Sequence, residues 1–306
     1  MRRLLAGERR ALARAVTLVE DGDPRGREAL AALYAHTGRA HTVGITGGSG
    51  AGKSTLTAGL ALEFRTRGRT VGIVAVDPSS PFTRGAILGD RIRMQELSRD
   101  PEVFVRSMAT RGALGGLAPM TAEVVALLDA AGKDVVFVET VGAGQDEVEV
   151  ASLAETTVVV LTPGAGDEVQ AMKAGIMEVA DVLAVNKADL PGAESLVGQL
   201  HAAAAMASRG RLDVPIVQTV ATRGEGIAEL ADAIVAHRER LAASGDLEAD
   251  RRERARRQLL ALARQELLAA AVRAAEADGR LEALVRAVAA RELDPYTAAR
   301  RLIEPG

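Results

Sequence analysis

The stretch Gly47-Gly48-Ser49-Gly50-Ala51-Gly52-Lys53-Ser54, directly after an apolar run at 42–46, constrains this chain more than any other feature. It satisfies G-x-x-x-x-G-K-[ST] in full. The pattern makes physical sense only between a strand and a helix, where the glycines let backbone N–H groups turn inward around an anion. Such a loop cradles a chain of phosphates. Lys53 is placed to reach the outer phosphates, and the Ser54 hydroxyl to ligate Mg²⁺. A helix starting near Thr55 aims its positive end at the same charge.

The rest of the chain agrees with that context. Short apolar runs at 42–46, 70–76, 103–106, 134–139, 157–161, 182–185 and 215–218 alternate with helical stretches. The runs are continuous and not alternating, so both faces of each strand should be covered. The expectation is an α/β fold of the doubly wound P-loop NTPase type, with a mainly parallel sheet. Residues 1–40 read as a helical extension, with Leu4, Leu5, Leu12, Val16 and Val19 at helical spacing, a break at 21–24 and renewed helix at 28–34. The α/β domain is expected over 41–240. Strands vanish in 241–306, where Leu260, Ala263, Leu267 and Ala271 form one apolar stripe. Asp278-Gly279 reads as a helix stop, Leu281, Leu284, Val285 and Val288 as a second helix, and Asp294-Pro295 as the cap and first residue of a third.

Composition narrows the functional classes. The 38 basic and 41 acidic side chains leave a net charge of −3, which argues against nucleic acid as the main partner. No apolar run is long enough for a bilayer and the first residues lack a signal-peptide core, so no membrane partner and a cytoplasmic setting are expected. Without cysteine there are no thiolate metal sites or thiol nucleophiles. The chain has only four lysines (Lys53, Lys133, Lys173, Lys187) and one asparagine, Asn186. Where Arg has replaced Lys almost everywhere, a surviving lysine marks a place that needs a compact ammonium. Lys133, outside every motif, reads as chance.

Asn186-Lys187-Ala188-Asp189 fits N-K-x-D at the end of a buried run. A carboxylate only accepts, so Asp189 can take the N1–H and N2–H₂ of guanine, a donor pair adenine lacks. The Lys187 stem can cover the purine face. Asn186 can tie its loop to the phosphate loop. Val220, Ala221 and Thr222 can offer amides to guanine O6. Two further stretches fit a γ-phosphate response: 77–90, whose Asp77 and Asp90 are candidate metal carboxylates, and 139–142. In the latter, Glu139 stands where such folds place the metal-linked acid, and the Gly142 N–H can sense the γ-phosphate. Gln145 follows and can orient an attacking water. An acidic Gly/Pro loop at 163–170 leads to Lys173 and reads as a third mobile element.

These motifs resemble the MeaB/ArgK family of GTPases, which includes the methylmalonic aciduria type A protein. The resemblance runs through 44–55, 75–94, 111–118, 139–147, 163–189 and 292–299; Arg84 departs from it, since glycine is expected there. It implies a GTP- and Mg²⁺-dependent GTPase that gates cofactor loading of an adenosylcobalamin-dependent acyl-CoA mutase and protects that enzyme. It also implies catalytic roles for Lys53, Glu139, Gln145 and Lys173, and a homodimer formed through the C-terminal helices. The motifs leave two other readings open. A transport-associated small-molecule kinase would need an acceptor pocket with a base, for which no motif stands out. A metallochaperone GTPase would carry Cys or His clusters, whereas this chain has only His36, His41, His201 and His237, far apart in sequence.

Overall fold

The computed structural model describes residues 1–77, 97, 99–109, 118–140, 153–164, 179–207 and 214–304. Among them are seven strands: β1 (His41–Gly47), β2 (Val71–Asp77), β3 (Val103–Ala109), β4 (Val135–Thr140), β5 (Thr156–Leu161), β6 (Val182–Asn186) and β7 (Ile216–Thr219). Each coincides with one apolar run expected from the sequence. They form one sheet in the order β3-β2-β4-β1-β5-β6-β7, with every neighbouring pair parallel.

The described helices are α1 (Arg2–Leu5), α2 (Arg9–Glu20), α3 (Pro24–Leu33), α4 (Lys53–Thr66), α5 (Ala118–Ala130), α6 (Ala193–Ala207), α7 (Ile227–Ser244), α8 (Asp246–Ala277), α9 (Arg280–Ala289) and α10 (Pro295–Ile303). Helices α1 to α7 cover both faces of the sheet, which is why the strands read as unbroken apolar runs. Successive side chains of a strand point to opposite faces. Ile73, Val135 and Phe137 therefore pack with Leu56, Leu60 and Phe64 of α4 and Leu230 and Ile234 of α7. Val74, Val136 and Val138 pack on the other face with Val16 and Val19 of α2, Leu33 of α3, and Leu127 and Leu128 of α5. Leu196 and Leu200 of α6 complete the cover over β5 and β6.

The chain divides into two compact units, Met1–Arg251 and Arg252–Gly306. In the first, α1 to α3 share a core with the sheet. Their end is clasped by Asp129 of α5, whose carboxylate accepts from the amides of Gly38 (2.5 Å), Arg39 (3.2 Å) and Ala40 (3.0 Å). The break expected at 21–24 is shorter than that. Helix α3 already begins at Pro24, because Asp23 accepts from the Arg25 amide and caps it while proline supplies a ready-set first turn. Lys133, read from sequence as chance, donates to the Glu102 carbonyl at 2.9 Å and ties the α5–β4 turn to the start of β3. In the second unit Asp294 caps α10 through the Thr297 amide, as its sequence suggested. Leu259, Leu260, Leu267 and Leu268 of α8 are exposed.

The strand order sets the position of the site. From β1 the chain crosses to β2 on one side, returns through β4 beside β1, and continues to β5 on β1's other flank. A crevice opens beyond the carboxyl ends of the strands where the winding reverses, and β1 delivers the phosphate-loop sequence there.

Candidate functional site

The loop after β1 is shaped by backbone that only glycine adopts without strain. Gly47 has φ 138° and Gly52 has φ 89°. A Cβ on Gly47 would overlap the Val160 carbonyl of β5, and one on Gly52 would overlap the Asn186 amide. Both glycines therefore permit close approach as well as the turn. Lys53, at the start of α4, is buried and donates from Nζ to Gly47 O (2.6 Å) and Gly48 O (2.9 Å). The ammonium thus lies along the loop, held by its carbonyls. Ser49 and Gly50 are exposed at the rim, and Thr55 lies in the first turn of α4.

Beside the cradle, Glu139 of β4 sits level with Ile45 of β1 and Ala75 of β2 in the sheet register. It is 1% exposed and accepts the Ser54 hydroxyl through Oε1. A hydroxyl and a carboxylate held together at the end of a phosphate loop form a hard oxygen donor pair, the chemistry Mg²⁺ prefers. Asp77 is the last residue of β2, on the same carboxyl edge. The expected Asp90, Gly142, Gln145 and Lys173, and the departure at Arg84, lie outside the described residues.

Asn186 joins the two halves of the site. Its Nδ2 donates to Ala51 O at 2.8 Å, across 135 positions of sequence, and its Oδ1 accepts from Thr219 Oγ1 (3.2 Å) and the Ala221 amide (3.1 Å). At 2% exposure this amide satisfies three partners in two separate segments at once. Lys187 follows with φ 56°, a left-handed conformation that costs of order 1 kcal/mol or more outside glycine. It sends Nζ to Gly50 O at 2.9 Å. The lysine stem is thereby laid across the gap between the two loops. Asp189 is exposed and accepts from Arg223 Nη2 at 2.5 Å.

Of the three amides assigned to a purine carbonyl, two have partners within the protein. The Val220 N–H donates to Glu225 O (3.0 Å) and closes the turn, and the Ala221 N–H donates to Asn186. Sequence reasoning did not find Thr219, which completes the Asn186 clamp, or Arg223, which holds Asp189. Neither belongs to a motif, and both are legible only once β6 and β7 are known to be neighbours.

The comparisons with known proteins decide the family to which this site belongs. The sequence model described as "Methylmalonyl Co-A mutase-associated GTPase MeaB" matches residues 12–277. The chain belongs to the MeaB family. A relative in Pyrococcus abyssi that carries a GTPase name is 48% identical over 99% of this chain and 94% of its own length. GTPase ArgK of Escherichia coli is 37% identical over 99% of this chain and 95% of its own length. The methylmalonic aciduria type A homolog of Caenorhabditis elegans, a mitochondrial protein, is 36% identical over 82% and 68%. Among solved structures, a LAO/AO transport system kinase superposes with a TM-score of 0.73 at 30% identity, covering 98% of this chain and 94% of that one. A HypB from Helicobacter pylori in complex with nickel shares the fold alone, with a TM-score of 0.51 at 18% identity. This MeaB-family chain is a P-loop GTPase. No described helix is long and apolar enough to cross a membrane.

Proposed function

We propose that this GTPase acts as a nucleotide-gated chaperone of an adenosylcobalamin-dependent acyl-CoA mutase of the methylmalonyl-CoA mutase type. The family's association with that mutase supports this, as does the name of the nematode relative. The observation that carries the site's part is the Asn186 clamp, which makes phosphate loop and base loop one rigid receptor.

Each residue then has a role. The amides of 48–55 surround the phosphates, and Lys53 neutralises the β- and γ-oxygens. Asp189 reads the N1–H and N2–H₂ edge of guanine while Lys187 covers its face. Ser54 and Glu139 would hold Mg²⁺, with Asp77 and Asp90 as further carboxylates; the ion supplies charge neutralisation at the triphosphate. Gln145 orients the water whose oxygen forms the new bond to Pγ as the bond to the β,γ-bridging oxygen breaks, giving GDP and phosphate. Gly142 and Lys173 complete the response to the γ-phosphate. A kinase would instead need a base beside an acceptor hydroxyl, for which the sequence offers no motif.

Homodimerisation is assigned to the C-terminal helices, where exposed leucines on α8 leave an apolar face. The setting is cytoplasmic. A pull-down with the purified chain in GTP and in GDP, scored for a cobalamin enzyme, tests the proposal. The expected outcome is capture of a mutase in amounts that depend on the nucleotide. Equal capture in both states, or none, overturns the gating role.

A further inference from the structure

The turn after β7 places a cation on the base-reading carboxylate. Val220 bridges to Glu225, the Arg223 amide donates to Val220 O at 2.9 Å, and the Ala221 amide is fixed on Asn186. From this closed turn Arg223 sends Nη2 to Asp189 Oδ2 at 2.5 Å, while its Nη1 stands 3.6 Å from Glu225 Oε1. The guanidinium stands between two carboxylates. Both members of the Asp189 pair are well exposed, and an ion pair of that kind contributes little to folding. Its effect has to be sought in the orientation of Asp189.

We infer that Arg223 is a positioning residue for guanine selectivity: it sets the rotamer of Asp189 so that the remaining lone pairs face the base. An ionised carboxylate has about four lone-pair sites. One bond from Arg223 to Oδ2 leaves room for a donor on each oxygen, which the two N–H groups of guanine require together. Without the guanidinium, an exposed aspartate would have to be ordered as the base binds, and that ordering weakens binding. The loss falls on ligands that need both oxygens at once. The inference rests on the reading of Asp189 as the base-recognising group.

The test measures affinities of the full chain for GTP, ITP and ATP in wild type, Arg223→Ala and Arg223→Lys, with melting temperature as a control. ITP lacks the exocyclic amine and needs only one carboxylate oxygen. Arg223→Ala should lower GTP affinity by about three- to tenfold, the size expected when one side chain must be ordered on binding. ITP should lose less, so the GTP-over-ITP ratio shrinks while the melting temperature holds. Arg223→Lys, which keeps a cation able to donate to Asp189, should recover the ratio. A ratio in Arg223→Ala within about twofold of wild type overturns the inference, since a twofold change is smaller than the ordering effect. A lysine variant as poor as the alanine one also overturns it. If wild type fails to prefer GTP over ATP, the base-reading role of Asp189 falls first and Arg223 with it.

Discussion

The two ends of the central sheet are both lined with buried polar groups, yet they are built for different ends. At the amino edge, Asp129 clasps the amides of 38–40, and Glu155 meets Arg238 (3.4 Å) and Arg251 (3.3 Å). There too, His41 Nε2 and His237 Nδ1 share the Thr156 hydroxyl at 2.8 and 2.9 Å, and His237 stands 3.5 Å from Asp181. Histidines that look scattered in the sequence thus meet at one hydroxyl. At the carboxyl edge, about 20 Å along β1 at the usual rise per residue, Lys53, Glu139 and Asn186 line a cradle of glycine backbone. Amino-edge groups join one part of the scaffold to another, so losing them should cost stability. On the proposed function, carboxyl-edge groups present charge and donors to a polyanion, so losing them should cost recognition or turnover with the fold intact.

That contrast can be broken most sharply at Asp189. Asp189→Asn replaces an acceptor by a donor, which suits the carbonyl of xanthine where guanine has its amine. The GTP-over-XTP preference should fall by up to roughly 10⁴, read from competition titrations with the melting temperature unchanged. A variant that keeps the wild-type margin would show that the base is read elsewhere. Lys53→Ala should lower the hydrolysis rate by about 10²- to 10³-fold, the usual effect of removing one transition-state donor. Circular dichroism should find the fold retained, and undiminished phosphate release would remove the phosphate-loop assignment.

At the amino edge the signs reverse. Asp129→Ala strands the amides of 38–40, of which Ala40 lies buried, and should lower the unfolding free energy by about 2–3 kcal/mol in urea titrations. GTP affinity of the folded fraction should be unaffected; a loss of affinity matching the loss of stability would merge the two edges. The mildest test is pH. Burial first, then the charges of Arg238 and His237, push His41 from its ordinary 6.5 down to about 3. The folded chain refuses a proton that the unfolded chain accepts. Its contribution is therefore complete above pH 6.5 and drains away as pH falls from 6.5 towards 3. Between pH 7 and 5 this amounts to about 2 kcal/mol. The His41→Gln variant should show a flatter decline in urea midpoint over that interval, and an identical slope would discharge His41 from the effect.

The sequence makes some of this legible and hides the rest for physical reasons. All seven strands are readable because a parallel sheet buried on both faces demands unbroken Val/Ile/Leu runs such as 135–138 and 158–161. Their order is not, since crossovers carry no pairing signal. Lys53, Ser54 and Asn186 stand out because their chemistry needs fixed spacing. Asp129 does not, because its partners lie about 90 positions away and any acceptor on that turn of α5 would look the same. Arg223 is hidden for the same reason, one of many arginines until β6 and β7 are side by side. The Asp23-Pro24 start of α3 was readable by the same rule that finds Asp294-Pro295, and reading it as a break underestimates proline as a helix initiator.

The Asn186 amide also gives the molecule a chemical lifetime. Deamidation there would exchange the donor facing Ala51 O for a second acceptor, setting two oxygens against each other inside a closed clamp. With a single asparagine in the chain, hydrolytic ageing of that kind has one address. Its signature would be a population of intact, folded chains whose base and phosphate ends no longer act as one.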